Sequence, residues 1–284
     1  MKIALLVVAC RAPVSLEALA GFLVGPEFAF FVHVDAKADI QLFAEVARHP
    51  HVHLIGDRRK VFWGGFSMIE AEIALLGAAV EGGEFDRFAL ISDDTFAIKA
   101  PDEIKRRLEA EDLWIGSFIA PDSDWRYDKF FFFDSDATNP QHRDVRLRAF
   151  ADDEISAVKS LERLRSVGKA RIQVFHGPQW WCLTREAAAY VLECHRNSAH
   201  VRESFRFSAV PDESYIQTLI GLEGDRWHRR KCPMHFDFSR QPKPFVFREL
   251  AELKSLVASD ALFVRKIPED RLLLQELQDI LSQN

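Results

Sequence analysis

The sequence predicts an α/β fold in which helices flank a doubly wound, mostly parallel sheet. Short continuous apolar runs recur over residues 1–110, and such runs are typical of strands that are covered on both faces. Helical segments separate these runs, and the resulting β-α-β-α alternation is typical of a parallel sheet. The 284 residues are 48% hydrophobic and contain no Pro/Gly/Ser-rich linker, so we expect one domain with a large core.

The predicted elements of the first half follow this alternation. Strands are expected at residues 3–8, 28–34, 52–55 and 88–91, and helices at residues 15–24, 40–48, 67–80 and 101–110. Ser15 is the expected cap of the first helix. Ser67 and Glu70 have capping-box spacing at the start of the third helix, and Pro101 suits the first turn of the fourth.

The second half of the chain is less regular. A stretch rich in aromatic and charged residues covers residues 114–150. Helices are then expected at residues 152–167, 185–194, 211–222 and 249–259, and a strand-like segment at residues 174–183. A final amphipathic helix is expected from Pro268 onward.

Composition excludes several classes of protein. The net charge of -6 is a poor match for non-specific binding to nucleic acid, which requires many cations. No apolar run has the length that a transmembrane helix needs, and no signal peptide is evident. The four cysteines contain no CxxC pair, so we expect reduced thiols in a cytoplasmic protein. They are Cys10, Cys182, Cys194 and Cys232.

Acidic residues follow two of the predicted strands. Asp35 ends the second strand, and Asp93 and Asp94 follow the fourth. Ligands of doubly wound sheets bind beyond the carboxyl ends of the strands, so these residues are candidates for a binding site. The alternative is that they cap helices or form turns. The sequence has no nucleophile elbow, Walker A loop, GxGxxG or HExxH motif. Carboxylates, aromatic rings and a basic C-terminal segment remain, and this mixture suits sugar and diphosphate binding.

Six segments, in order, resemble the core-2/I-branching β-1,6-N-acetylglucosaminyltransferases and the peptide O-xylosyltransferases. They are FVHVDAK at 31–37, VFWGGFS at 61–67, LISDDTFAIK at 90–99, GPQWWCLTR at 177–185, VPDESY at 210–215 and LFVRKI at 262–267. Together these segments span nearly the whole chain. Residues 115–170 match poorly, and we expect acceptor specificity to lie there.

The resemblance implies a GT-A-like fold, a UDP-sugar donor and inversion at the anomeric carbon, with transfer of GlcNAc or xylose favoured. Residues 1–110 would form the nucleotide-binding half, and residues 111–284 the acceptor and catalytic half. Glu213 matches the family's catalytic base, and single displacement needs such a base. The alternative is that Asp212 and Glu213 only complement a helix dipole. Lys266 matches the family's diphosphate-binding lysine, and Arg240, Lys243 or Arg248 could supply a second cation.

The expected site has two parts. Residues expected to contact the nucleotide-sugar are Asp35, Trp63, Asp93, Asp94, Lys243, Arg265 and Lys266. Residues expected to contact the acceptor are Trp125, Arg126, Gln179, Trp180 and Asp212. A place in the hydrophobic core is the favoured alternative for Trp63.

The sequence departs from the family pattern after the fourth strand. Relatives carry Ser-Gly-x-Asp-Phe/Tyr-Pro-Ile, whereas this chain has SDDTFAI at 92–98. Asp93 and Asp94 therefore resemble the acidic metal motif of other GT-A enzymes and could bind Mg²⁺ or Mn²⁺. The family works without a metal, so we expect no metal and no cofactor.

The expected partners are a UDP-sugar and a glycan or glycoconjugate acceptor. The chain lacks the anchor, stem and disulfides of eukaryotic relatives, so we expect a compact bacterial-type enzyme. Two other classes stay open at this point. One is a metal-dependent nucleotidyltransferase or nucleotide-sugar hydrolase, and the other is a non-catalytic glycan- or nucleotide-binding module.

Overall fold

The computed structural model describes residues 1–110, 113–121, 125–128, 131–136 and 172–283. The expected helix at residues 152–167 lies outside these residues, and so do the side chains of Trp125 and Asp128.

The described residues form twelve strands. They are β1 (Ile3–Ala9), β2 (Phe28–Val34), β3 (Val52–Leu54), β4 (Arg87–Ser92), β5 (Thr95–Ala97), β6 (Leu113–Ile115), β7 (Phe118–Ile119), β8 (Phe175–His176), β9 (Trp181–Thr184), β10 (Arg229–Arg230), β11 (Met234–His235) and β12 (Phe263–Arg265). Seven of them make the main sheet in the order β10-β6-β9-β4-β1-β2-β3. Only β9 runs antiparallel to its neighbours in that sheet, so the predicted mostly parallel α/β architecture is confirmed.

Nine α-helices accompany these strands in the described part of the chain. They are α1 (Pro13–Phe22), α2 (Ser67–Gly82), α3 (Pro101–Ala110), α4 (Trp125–Asp128), α5 (Arg185–Asn197), α6 (Ala199–Phe205), α7 (Tyr215–Gly221), α8 (Leu250–Leu256) and α9 (Arg271–Ser282). Short 3-10 helices occur at Ile40–Phe43, Val46–Arg48 and Pro211–Glu213. None of the described helices is long and apolar enough to cross a membrane.

The core lies on the faces of the central strands. Every residue of β2 is buried, and β1 is buried at six of its seven positions. This explains why both segments read as continuous apolar runs, since helices cover both faces of a parallel sheet. All four cysteines lie in the described part of the chain, and each is a free thiol as predicted.

A second, three-stranded sheet in the order β11-β12-β5 brings the C-terminal segment to the main sheet. Arg265 in β12 is paired in register with Thr95 in β5, three residues beyond the end of β4. The residue that follows β12, Lys266, therefore lies beside the carboxyl end of β4.

Several local predictions were wrong. The first helix begins at Pro13, and Ser15 donates its hydroxyl hydrogen to Pro268 O at 3.2 Å and caps nothing. Residues 40–48 form two 3-10 helices in place of one α-helix. The segment 211–222 divides into the 3-10 turn Pro211–Glu213 and α7, so Glu213 precedes the helix that was expected to hold it.

The capping box expected at Ser67 and Glu70 does not form. Ser67 is the first residue of α2, and its hydroxyl accepts a hydrogen bond from Phe62 N. The Asp134 carboxylate caps the helix instead, accepting from Phe66 N at 2.9 Å and Ser67 N at 3.1 Å. A side chain 67 residues away in sequence thus satisfies the free N–H groups of this helix end.

Candidate active site

The carboxyl ends of β1, β2 and β4 lie at one edge of the sheet, and Asp35 and Asp93 shape the turns there. Asp93 Oδ2 accepts hydrogen bonds from three consecutive backbone N–H groups, those of Cys10, Arg11 and Ala12, at 2.7, 2.8 and 2.9 Å. Asp35 accepts from the backbone N–H of Lys37 at 2.9 Å and forms an ion pair with its side chain at 3.0 Å. Both carboxylates are buried, and both hold loops at the predicted edge.

Asp94 faces two cations from the C-terminal segment. Its Oδ1 lies 3.1 Å from Arg265 Nη2, its Oδ2 lies 3.3 Å from Lys266 Nζ, and the Ser92 hydroxyl donates to Oδ1 at 2.6 Å. Burial alone would raise the pKa of Asp94, but Arg265 and Lys266 outweigh burial and hold that pKa below its usual value. The structure therefore brings Asp94 together with two residues that lie 171 and 172 positions later in the sequence.

Arg265 also contacts an aromatic side chain. Its guanidinium carbon lies 4.6 Å from the centre of the Trp180 ring, and Trp180 is only 5% exposed. A guanidinium over an indole face is a favourable cation–π arrangement. Trp180 was expected to contact an acceptor, but in this structure its ring is buried against Arg265.

The predicted base lies in the 3-10 turn Pro211–Glu213. The Glu213 side chain is 40% exposed, and its Oε2 lies 3.4 Å from Arg126 Nη1. Burial raises the pKa of Glu213, and the positive charge of Arg126 opposes that rise. A raised carboxylate pKa with one specific charge partner is typical of functional sites.

Asp212 lies beside Glu213 but is turned inward. It is 9% exposed, and its Oδ1 has no hydrogen-bond partner among the described residues. Burial and then the charge of Glu213 raise the pKa of Asp212 to about 7. Arg265 lowers this pKa, so the cation cluster and the acidic turn act on each other electrostatically.

A strained backbone turn presents these two acids. Val210 has φ 52°, which is the left-handed region that β-branched residues rarely adopt. Its N–H donates to Gly64 O at 2.9 Å, and its carbonyl accepts from Glu213 N at 3.1 Å. Gly64 is itself at φ 72°, where glycine carries no penalty. The loop before α2 thus anchors the turn that carries Glu213.

Trp63 lies in that loop and is 51% exposed, so the alternative that it packs in the core is wrong. Trp114, Trp180, Trp181 and Trp227 are each at most 6% exposed. An exposed indole next to the anchor of the Glu213 turn can offer an apolar face to a sugar ring.

The other predicted cations differ in their surroundings. Arg240 forms ion pairs with Asp237 at 2.7 Å and Glu252 at 2.5 Å, while Lys243 and Arg248 are exposed. Phe245, two residues after Lys243, accepts a hydrogen bond from Lys266 N at 3.2 Å. This contact brings the segment that carries Lys243 alongside Lys266.

Gln179, expected at the acceptor, donates instead to a glutamate that sequence reasoning missed. Gln179 Nε2 lies 2.9 Å from Oε1 of Glu72, which is fully buried in the middle of α2. The sequence does contain a signal for Glu72, which is a charged residue within an apolar helical stripe. Glu72 lies three residues after buried Ile69 and four before buried Leu76, so it shares their face of the helix. For Trp125, the acceptor assignment concerns a side chain outside the described residues.

Comparisons with known proteins agree with the resemblance. A profile of the Core-2/I-Branching enzyme family matches residues 3–244. This range includes Glu72, Gln179, Asp212 and Glu213 and ends before β12, so it does not bear on Arg265 or Lys266. No curated protein sequence matches significantly.

Two solved structures show weaker likenesses. The crystal structure of mouse xyloside xylosyltransferase 1 in its apo form matches with a TM-score of 0.38 and 11% identity, over 93% of this chain and 97% of that one. The crystal structure of S. aureus TarS matches with a TM-score of 0.30 and 13% identity, over 46% of this chain and 25% of that one. Neither likeness is strong enough to bear on fold or activity.

The family match covers 242 of 284 residues, counting from 3 to 244, and therefore more than half of the chain. The mostly parallel sheet flanked by helices agrees with the expected GT-A-like class. The nucleotidyltransferase, hydrolase and binding-module alternatives are thereby set aside. The chain belongs to the Core-2/I-branching enzyme family and is a glycosyltransferase.

Proposed function

We propose that this glycosyltransferase moves GlcNAc or xylose from a UDP-sugar to a glycan hydroxyl, with inversion and with Glu213 as the base. The observation that carries the proposal is the position of Glu213. Its carboxylate is partly exposed on a strained turn, next to Arg126. The backbone of Glu213 is hydrogen-bonded to Gly177, three residues before the Trp180 ring that contacts Arg265. A carboxylate and a cation pair are thus linked through one short segment, and single displacement needs one of each.

In this mechanism Glu213 takes the proton from the attacking acceptor hydroxyl. The oxygen then attacks the anomeric carbon from the face opposite the diphosphate, and the bond to the diphosphate breaks. Burial raises the pKa of Glu213, and the charge of Arg126 opposes that rise and so favours the ionised form that the reaction needs. Trp63 would offer its exposed ring to a sugar, and Asp212 would border the acceptor side.

The diphosphate would bind Arg265 and Lys266. Lys243, which is exposed, would supply a further positive charge. Positive groups at this place stabilise the charge that develops on the leaving group. We propose that no metal takes part. Asp93 Oδ2 is already used by three backbone N–H groups, and each Asp94 oxygen faces a cation. Within the described ranges, no group of three His, Cys, Asp or Glu side chains has metal-binding geometry.

The proposed compartment is the cytoplasm, and the proposed acceptor is a surface-polysaccharide precursor or another glycoconjugate. Four free thiols support a reducing compartment. The acidic net charge of -6 fits a small anionic donor held by a local cation cluster better than it fits nucleic acid.

The test combines a donor screen with one substitution. UDP release is measured with UDP-GlcNAc, UDP-Xyl, UDP-Glc and UDP-Gal, and we expect GlcNAc or xylose to be transferred fastest. Glu213→Gln should then lower turnover about 10²–10⁴-fold, because the amide cannot accept the proton. UDP-sugar affinity and melting temperature should stay near the wild-type values.

Glu223→Gln is the matched control. Glu223 follows α7 and pairs with Arg226 at 2.8 Å, away from the proposed reaction, so this variant should turn over normally. Near-normal turnover of Glu213→Gln with a lowered melting temperature would instead make Glu213 a structural residue and remove the proposed mechanism.

A further inference from the structure

We propose that Glu72 is a positioning residue that acts as a neutral carboxylic acid. It holds Gln179, and through Gln179 it fixes residues 177–180, the segment that is hydrogen-bonded to the Glu213 backbone at one end and contacts Arg265 at the other. This 177–180 wall consists of Gly177, Pro178, Gln179 and Trp180. The inference rests on the proposed function and adds to it a residue that contacts no substrate.

The surroundings of Glu72 suit an uncharged acid. Its side chain is fully buried on the inner face of α2, and Oε1 accepts a hydrogen bond from Gln179 Nε2 at 2.9 Å. Oε2 has no partner at full hydrogen-bond distance in the described part of the chain, and the nearby Trp181 side chain lowers the pKa of Glu72 less than burial raises it. No described cation pairs with Glu72. An ionised carboxylate without a cation would be costly in such a place, so the group retains its proton.

The nearest charged group strengthens this conclusion. Asp212 repels a negative charge on Glu72, and burial together with this repulsion raises the pKa of Glu72 well above its ordinary value. Asp212 itself faces Glu213 and Arg265, and Arg265 is already paired with Asp94. Glu72 and Asp212 are neighbouring carboxyl groups, and two such groups ionise together less readily than either one does alone.

The 177–180 wall connects Glu72 to the proposed base and to the proposed diphosphate cations. Gly177 N donates to Glu213 O at 2.9 Å, and Pro178 O accepts from Gln217 Nε2 at 2.8 Å, so one end of the wall holds the base. At the other end, Trp180 lies beneath the Arg265 guanidinium. Gln179 is between these contacts, and its side chain is held by Glu72. Releasing Gln179 should therefore disturb the distance between base and cations.

The 177–180 wall is closely packed where Gly177 meets Gly116. A Cβ atom on Gly177 would collide with the backbone carbonyl of Gly116. The segment is thus packed against backbone on one side and tied to Glu72 on the other. A misplacement of about 1 Å at a reacting group can cost up to about a hundredfold in rate.

The test compares Glu72→Gln with Glu72→Met. The Gln variant stays neutral and still offers an oxygen to Gln179, so turnover at pH 7 should remain within about twofold of wild type. The Met variant fills the same buried space but releases Gln179. Its kcat should fall about tenfold or more, while UDP affinity changes less than about threefold, because Asp94 still holds Arg265 and Lys266.

Two further variants complete the design. Glu70→Gln is the matched control, because Glu70 lies on the same helix, is 43% exposed and pairs with Arg59, and it should behave as wild type. Gln179→Met removes the same hydrogen bond from the other partner and should reproduce the Glu72→Met kcat. The double variant should lose no more than either single one, since both delete one interaction. If Glu72→Met fails to fold, Gln179→Met alone decides the kcat question.

Thermal unfolding between pH 5 and pH 9 tests the neutral state without any assay of transfer. A folded-state pKa above the unfolded value means that wild-type stability falls as pH rises from the unfolded value toward the folded one. Glu72→Gln has no carboxyl group at this position, so it does not lose stability in this way as the pH rises. The melting temperature of Glu72→Gln minus that of wild type should therefore increase with pH. A constant difference would overturn the inference, and so would a Gln variant as slow as the Met variant, or a Met variant as fast as wild type. Failure of the proposed function is distinguished by Glu213→Gln, which would then remain active.

Discussion

Lys266 shares the Asp94 carboxylate with Arg265, and this ion pair keeps both cations at the carboxyl end of β4 before any donor binds. The Lys266 side chain is 21% exposed, so a diphosphate can reach its ammonium group. Asp94 therefore preorganises the cations and also offsets part of their charge.

Replacing Lys266 with alanine should weaken UDP binding about ten- to a hundredfold. A charge-assisted hydrogen bond contributes roughly 1.5–3 kcal/mol, and the variant leaves only Arg265 and Lys243 opposite the diphosphate. Isothermal titration with UDP measures the change. Lys254→Ala removes the same charge from the exposed side of α8 and should bind UDP as wild type does. Equal affinities for both variants would show that Lys266 is only a surface cation.

Arg126 is expected to set the pH range in which Glu213 works. Burial raises the pKa of Glu213 and Arg126 lowers it, so Arg126→Gln should raise that pKa further. Because the base must be ionised, the acidic limb of the kcat/KM profile should move to higher pH. The variant should lose more activity at pH 6 than at pH 9. A uniform loss at all pH values would show that Arg126 acts on the acceptor and leaves the base unaffected.

At the scale of elements, the start of α2 joins three distant segments. Asp134 caps the helix, and a Cβ atom on Gly65 would collide with the Asp134 carboxylate. One residue earlier, Gly64 O accepts the hydrogen bond from Val210 that anchors the Glu213 turn. Two adjacent glycines therefore allow one helix end to contact the 131–136 segment and the catalytic turn together.

Asp134→Ala should destabilise the protein by about 0.5–2 kcal/mol, the usual effect of losing a helix cap. Two backbone N–H groups would lose their acceptor, and water can replace it only in part. Asp134→Asn keeps an acceptor oxygen, so its unfolding midpoint in urea should lie between those of wild type and Asp134→Ala. Identical midpoints for all three proteins would mean that the cap contributes nothing to stability.

At the scale of the whole molecule, the site combines the N-terminal sheet with the C-terminal strand. The β11-β12-β5 sheet makes this combination, because β12 pairs with a strand that directly follows β4. The cations near residue 265 thus reach the acids near residue 93. In the proposed mechanism, these cations and the turn at residue 213 form the site.

Transfer should therefore persist in the presence of EDTA. The cations hold the diphosphate in this mechanism, so chelation should leave the rate of UDP release within about twofold of its value without EDTA. Dialysis against EDTA followed by assay with and without Mn²⁺ measures this. Complete loss of activity that Mn²⁺ restores would make Asp93 and Asp94 metal ligands and would overturn the metal-free proposal.

The elements that could be predicted from the sequence are those whose signal is local. Continuous apolar runs indicated β1, β2 and β4 because burial on both faces leaves that pattern. Pro101 marked the start of α3 correctly. The placement of Asp35, Asp93 and Asp94 at one edge followed from the rule that parallel strands end together. The family and the glycosyltransferase class followed from motif order, which also requires no coordinates.

Only the tertiary structure decided which residues meet. Nothing local indicates that Asp134 caps α2 in place of Ser67, because the cap comes from a distant loop. The turn at Val210 places Glu213 before α7. The hydrogen bond from Val210 N to Gly64 O holds this turn and overrides helical propensity. The sequence determined the sheet, the class of enzyme and the candidate charges. Tertiary packing decided that Glu72 is buried against Gln179 and that Asp94 holds Arg265 and Lys266, because these contacts join segments about 107 to 172 residues apart.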